Sequence, residues 1–447
     1  MNPTDQNPSD SRLNRRSFLK TASAAVAGTS VLGGLSIERS AFAAGSDTLK
    51  LALIGCGGRG SGAANQALST EGSIKLVAMA DVFKDHLEGS LRNLSQQHKD
   101  KVDVPPERQF TGFDAYKQAI ALADVVILAT PPGFRPMQFE EAVRQGKNIF
   151  TEKPVATDAP GVRRFMAAAE ESKKKGLKVV VGLQRHYDEG YRETIKRLHD
   201  GQIGDIVATR CYWNGQTPWL HRRAELEKDC GHKLTEMEYQ MRNWYYFTWI
   251  CGDHIVEQHI HNLDVINWVK QGHPVRAQGM GGCEVRKGLD YGEIFDHHAV
   301  EFEFADGSRS FSFCRHIHGC WDNVSEHVIG TKGTCDVGSH IIRGANQWRF
   351  KKEGGIRDPY QAEHDELFAC IRNDKPINNA DYGASSTMTA ILGRMATYSG
   401  KMIEWDDALK SNISLMPDKL SMDAEPKVLP DANGLYKLPV PGQTKVV

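Results

Sequence analysis

No stretch of this 447-residue chain offers the run of about 20 apolar residues that a helix needs to cross a bilayer. No two of its nine cysteines fall at a Cys-x-x-Cys spacing. No surplus of charge survives the count of 55 Lys and Arg against 56 Asp and Glu. The first absence excludes a membrane span, and the second a paired-thiol zinc site or a disulfide framework, leaving nine scattered thiols that read as buried. The third argues against a nucleic acid or anionic-membrane partner, since either leaves a basic excess. No internal repeat and no low-complexity tract follows residue 43. With 40% hydrophobic and 25% charged residues, the chain is long enough for two substantial domains.

Residues 1–43 read as an address. Arg15-Arg16-Ser17-Phe18-Leu19-Lys20 precedes a mild apolar region from Thr21 to Leu35, and Ala41-Phe42-Ala43 fits a small-x-small cleavage site. This is the pattern of a twin-arginine export signal, which carries folded proteins outward, and it places the mature protein in the periplasm from Ala44 onward.

What the chain does have is a strand-turn-helix at its start. Leu49-Lys50-Leu51-Ala52-Leu53-Ile54 reads as a buried parallel strand, and Gly55, Gly57 and Gly60 follow on a G-x-G-x-x-G spacing that opens a helix. In such a turn one glycine allows the tight bend, the next lets backbone approach a pyrophosphate, and the third lets helix pack on strand. The helix N-terminus supplies unpaired N–H groups and positive dipole. A second strand ends at Asp81, 21 residues after Gly60, where about 20 is expected for an acid that binds ribose hydroxyls. A carboxylate there selects NAD over NADP, because it repels a 2′-phosphate.

Strands and helices then alternate. Asp124 to Ala129 is a third strong strand closed by Thr130-Pro131-Pro132, Asn148-Ile149-Phe150 a fourth, and Lys178 to Gly182 another. The pattern predicts a parallel sheet covered on both faces, a Rossmann domain over residues 44–183, with ligands beyond the strand C-termini. Gly58, Arg59, Thr130, Pro131 and Glu152 join Gly55, Gly57, Gly60 and Asp81 as candidate cofactor contacts. After Gly182 the runs alternate in polarity, predicting an α+β domain with an open, mainly antiparallel sheet over residues 184–415. A Pro-, Asp- and Lys-rich tail, residues 416–447, is expected to wrap the surface.

Two constellations carry chemistry. Lys153, in Thr151-Glu152-Lys153-Pro154, sits at a strand end over the cofactor crevice, where an ammonium can stabilise an alkoxide. A solvated surface lysine is the bland alternative. From Asp253 to Trp268 the chain reads as one helix with Glu257, His261 and Asp264 at i, i+4, i+7, so that a carboxylate one turn before a histidine fixes its tautomer for general-base work. The alternative there is a capped helix with solvated polar residues. His254, His259 and His261 cannot share one helical face, and no metal site is expected.

In this order and spacing, the glycine loop, the Glu152-Lys153-Pro154 triplet and His261-x-x-Asp264 resemble the glucose–fructose oxidoreductase/inositol dehydrogenase (Gfo/Idh/MocA) family, from about Leu49 to Leu409. The resemblance implies NAD(P)-dependent oxidoreduction of a sugar, cyclitol or sugar derivative, with Lys153 the catalytic lysine and His261 the acid/base. Two positions depart from the family pattern: Glu257 stands where Asp is common, and His259 where Gly is common. Gln184 is expected at the nicotinamide and Arg185 or His186 at the substrate, an interdomain structural role being the alternative. Arg242, Trp244 and His316 are candidate sugar contacts against a core-packing alternative. A tightly bound NAD and a homo-oligomer, dimer or tetramer, complete the expectation. The rival function is a redox-neutral glycosidase or lyase that uses bound NAD transiently, though such relatives typically lack the intact triplet.

Overall fold

The computed structural model describes residues 48–351, 354 and 357–447. The export-signal reading lies outside them. No helix among the described residues is long and apolar enough to cross a membrane.

Among the described residues the first sheet has six parallel strands in the order β3-β2-β1-β4-β5-β6: β1 Leu49–Ile54, β2 Ile74–Asp81, β3 Gln109–Thr111, β4 Val125–Leu128, β5 Asn148–Thr151 and β6 Val179–Val181. Alternate side chains of β1 and β4 feed two cores. Ala52, Ile54, Val126 and Leu128 meet helices α3 (Ala115–Ala121), α4 (Arg135–Arg144) and α5 (Ala159–Lys174). Leu51, Leu53, Val125 and Ile127 meet α1 (Gly58–Leu68) and α2 (Lys84–Gln97). Burial on both faces explains why these strands are continuously apolar rather than alternating. The strand order reverses between β1 and β4, and the crevice opens at the ends of those two strands.

The second sheet runs β14-β13-β12-β11-β7-β10-β9-β8-β15, with β7 Ile206–Gly215, β8 Arg276–Gly282, β9 His297–Glu303, β10 Arg309–His316, β11 Asn323–Gly330, β12 Gly333–Asp336, β13 Ile341–Gly344, β14 Trp348–Arg349 and β15 Ile403–Glu404. Its pairs are antiparallel except β7–β10. Helices α6 (Glu189–His199), α11 (Ile260–Lys270) and α13 (Ala380–Ser399) cover it, α7 (Arg223–Cys230) and α8 (Glu236–Arg242) lie in the segment after β7, and α9 (Thr248–Cys251) and α10 (His254–Glu257) precede α11. Helix α12 (Pro359–Arg372) returns to the first sheet, where Leu367 and Phe368 pack on the β1–α1 side. Residues from both sheets, Val181 and Phe302 among them, share one core through α13.

The expected single helix from Asp253 to Trp268 is broken. Asp253 has φ +75°, and the N–H groups of both Gln258 and His259 point at the His254 carbonyl, at 3.0 and 3.1 Å. That wide turn separates α10 from α11. It ends the i, i+4 relation between Glu257 and His261.

Candidate active site

A cavity of about 950 Å³ runs from the β1–α1 turn to the start of α11. At one end the glycines shape it. Gly55 has φ +92°, and a Cβ there would fall 2.5 Å from the Thr130 nitrogen; at Gly60 it would fall 1.9 Å from the Gly55 carbonyl oxygen. At Gly57 and Gly58, which line the cavity, a Cβ would meet nothing within 4 Å. Gly57 caps α1 without a side-chain hydrogen bond, so the N–H groups of the first turn stand free over an open cradle. A dinucleotide pyrophosphate fits that cradle.

Asp81 lines the same cavity. Its Oδ2 accepts from the Cys56 N–H at 2.6 Å and its Oδ1 from the Phe83 N–H at 2.8 Å, so it closes the turn as well as facing it. Burial raises its carboxyl pKa, and the two backbone bonds pull it back. Arg59 donates to Glu152 at 2.5 Å and lies over the Tyr360 ring at 5.0 Å. Thr130 donates to Gln138 at 2.6 Å. Thr130, Pro131 and Glu152 all line the cavity. Arg135, which the pattern did not single out, is fully buried and donates to the carbonyls of Thr130 and Pro154, tying the two loops that flank the crevice.

At the other end Lys153, Glu257 and His261 meet. Lys153 Nζ donates to the Glu257 carbonyl at 2.7 Å and to its Oε1 at 3.1 Å, and the Tyr245 hydroxyl donates to Oε2 at 2.9 Å. Glu257 therefore holds the lysine and not the histidine, a correction that follows from the break between α10 and α11. His261 Nδ1 is buried without a partner, and its ring stacks on Trp213, 5.8 Å between centroids. Burial, then the charges of Lys153 and Arg185, hold its pKa well below the usual imidazole value. Its ring is therefore uncharged at neutral pH.

Several expected members lie elsewhere. Asp264 accepts from Ser386 at 2.8 Å and pairs with His186 at 2.9 Å; His186 itself is stacked between Trp268 and Tyr382. Arg185 pairs with buried Glu326. Gln184 donates to the Tyr360 hydroxyl at 3.1 Å, and His316 is held between Arg286 and Gln258, both at 2.7 Å. None of these five lines the cavity. The reason is common to them: each is bonded to a polar side chain on another element, which spacing along the chain does not reveal. Arg242 and Trp244 do line it, with Trp219 and His221 beside them. Arg242 reaches the first sheet's α2, pairing with Asp85 at 3.1 Å over the Phe83 ring.

A family model described as an oxidoreductase family with an NAD-binding Rossmann fold matches residues 49–182. The chain is 24% identical over 361 residues to scyllo-inositol 2-dehydrogenase (NAD+) of Bacillus subtilis, covering 78% of this chain and 94% of that one. It is 30% identical over 291 residues to an inositol 2-dehydrogenase of Cereibacter sphaeroides, covering 64% and 73%. Among solved structures, scyllo-inositol dehydrogenase from Lactobacillus casei with NAD(H) and scyllo-inositol superposes with a TM-score of 0.58 at 21% identity, over 80% of this chain and 99% of that one. A levoglucosan dehydrogenase with NADH and levoglucosan gives 0.61 at 15%, over the same shares. At these identities the structures establish the fold.

Proposed function

Because the chain belongs to the Gfo/Idh/MocA oxidoreductase family, we propose that it oxidises a secondary alcohol of a cyclitol, sugar or sugar derivative, or reduces the matching ketone. The observation that carries this is the meeting of Lys153, Glu257 and His261 in one cavity with the glycine cradle. A nicotinamide, when bound, supplies the hydride acceptor. Neutral His261 takes the hydroxyl proton as C–H bond breaking begins. The Lys153 ammonium, aimed by Glu257, donates a hydrogen bond to the oxygen as negative charge develops on it. Glu257 is in turn held by Tyr245, so the lysine is positioned before substrate arrives.

NAD is the preferred nucleotide in this reading, on the strength of Asp81 at the ribose end. Its retention is supported by the segment between β7 and α9, which lines the cavity with Trp219, His221, Met241, Arg242 and Trp244 and is tied to Asp85 through Arg242. The C-terminal tail braces that segment: Gln240 donates to the Val428 carbonyl at 2.7 Å, Thr235 to that of Met422 at 2.8 Å, and Tyr436 to Glu236. Export by the twin-arginine route, argued from Arg15-Arg16 and Ala41-Phe42-Ala43, gives retention a purpose, since the periplasm offers no pool of free NAD. A homo-oligomer is supported by Met280, Phe311, Phe313 and Ile329, which lie on one face of the second sheet and are 36–76% exposed.

The test is a panel of cyclitols and sugars with added NAD, followed at the NADH absorbance. Accumulation of NADH with a cyclitol or sugar is the expected result. Cleavage of a glycoside with no net NADH would instead support the redox-neutral reading, which the same cover over the nucleotide favours. Mature protein isolated from periplasm without added cofactor should release near-stoichiometric NAD on denaturation; a folded but empty protein would overturn the retention claim.

A further inference from the structure

Away from the cavity lining, three side chains from α10 and its flank and from β9 converge in the core: Asp253, His254 and His298. Asp253 adopts φ +75°, a setting that residues with side chains rarely take, and this turns its carboxylate inward at the start of α10. The carboxylate accepts from the Phe295 N–H at 3.0 Å, the Tyr398 hydroxyl at 2.6 Å and the His254 N–H. Two imidazoles face it, His254 Nδ1 at 2.9 Å from Oδ1 and His298 Nε2 at 3.2 Å from Oδ2.

Neither approach has hydrogen-bond geometry. His254 Nδ1 and His298 Nε2 meet the carboxylate only at these ion-pair distances, and His254 Nε2 meets no partner, although all three side chains are fully enclosed. An orphaned buried polar atom is costly, and a protein core rarely keeps one without a partner. The ligand-bearing atoms of the three residues lie within 4.8 Å of one another. A cation among them would take one nitrogen from each imidazole and an oxygen from Asp253.

We propose that Asp253, His254 and His298 bind one divalent transition-metal ion, zinc being the best match. Two imidazoles and a carboxylate form a ligand set that holds zinc, and bonds of about 2.0–2.2 Å place tetrahedral ligand atoms roughly 3.3–3.5 Å apart. His298 Nδ1 is already engaged with Thr397 Oγ1 at 2.9 Å, which fixes the ring and leaves Nε2 for the metal. Tyr398 orients the carboxylate in the same way. Helix α10 begins at His254 and ends at Glu257, so the ion clamps one end of the single turn whose other end holds Lys153. The site stands apart from the reading of the reaction, and its test does not pass through activity.

Full-length protein, purified without chelators, is analysed for metals by inductively coupled plasma mass spectrometry, and its metal shell is read by X-ray absorption. Close to one zinc per chain is expected, with a nitrogen and oxygen shell. His254→Gln and His298→Gln should each lose the metal, whereas exposed His232→Gln should keep it. Stripping wild type with dipicolinate should lower the unfolding temperature, and added zinc should restore it, which keeps the proposal testable if a variant fails to fold. Folded wild type that contains no divalent metal, as isolated and after refolding with equimolar zinc, overturns the site. So does metal that survives both substitutions, or a sulfur shell pointing to Cys251 or Cys314.

Discussion

Gly58→Ala and Gly60→Ala separate the two jobs of the glycine turn, holding helix on strand and receiving a phosphate. At Gly60 the new methyl would sit 1.9 Å from the Gly55 carbonyl oxygen, which is backbone and cannot swing aside. Relief requires α1 to lift from β1, and overpacking of that kind costs roughly 1–3 kcal/mol. With about 400 ordered residues gaining ~2 cal/mol/K each on unfolding, 1 kcal/mol moves Tm by a little over 1 °C, so Gly60→Ala should drop it by roughly 1–4 °C. At Gly58 the methyl meets nothing within 4 Å, and alanine is the better helix former by up to about 1 kcal/mol, so Tm should hold or rise slightly. The same methyl projects where phosphate oxygens must approach the first-turn N–H groups. Losing one hydrogen bond to a charged group, ~1.5–3 kcal/mol, weakens NAD binding roughly 10- to 100-fold. The assay is calorimetric titration of nucleotide-depleted protein with NAD, beside a scanning melt. Gly58→Ala that binds NAD as tightly as wild type would refute the placement of the pyrophosphate on this cradle.

Lys153→Ala should leave NAD affinity largely intact and lower kcat by ~100-fold or more; His261→Ala should do the same, and the double variant should be little worse if the two act as a unit. Normal turnover in Lys153→Ala would remove the mechanism. Asp81→Ala frees the Cys56 and Phe83 N–H groups as well as the ribose contact, so NAD affinity should fall at least ~10-fold while the preference over NADP flattens; an unchanged NAD to NADP ratio of Kd values would show that selectivity lies elsewhere. Fully buried His259, bonded to Ser312 at 2.7 Å, has its pKa held at about 3 chiefly by burial. The unfolded chain binds the proton first, so stability is lost as pH falls from about 6.5 towards 3, by up to ~5 kcal/mol from this group. Denaturant melts at pH 7 and pH 5 check this, and His259→Gln should reduce the slope. Arg242→Ala unties the segment over the nucleotide from Asp85 and should speed NAD release several-fold with kcat nearly unchanged; stopped-flow displacement by excess nucleotide measures it.

The residue pattern alone determined the architecture and the two ends of the cavity. Continuous apolar strands such as Val125–Leu128, alternating with helices, call for a sheet buried on both faces, and Gly55, Gly57 and Gly60 between a strand and a helix, answered by Asp81, mark a dinucleotide turn where the spacing alone would fit a merely structural one. Lys153 and His261 were legible because each follows a local motif at an element's end. Partner choice among buried polar groups was not legible, since it is settled by elements far apart in sequence. Glu257 turned to Lys153 and Tyr245 once a wide turn broke the expected helix, Asp264 was taken by His186 and Ser386, and Arg185 by Glu326. His298 reached Asp253 and His254 only through the placement of β9 against α10. Periodicity reports which face of an element is buried; which buried charge meets which is fixed by packing, because a desolvated polar atom must take whatever partner the assembled core brings within reach.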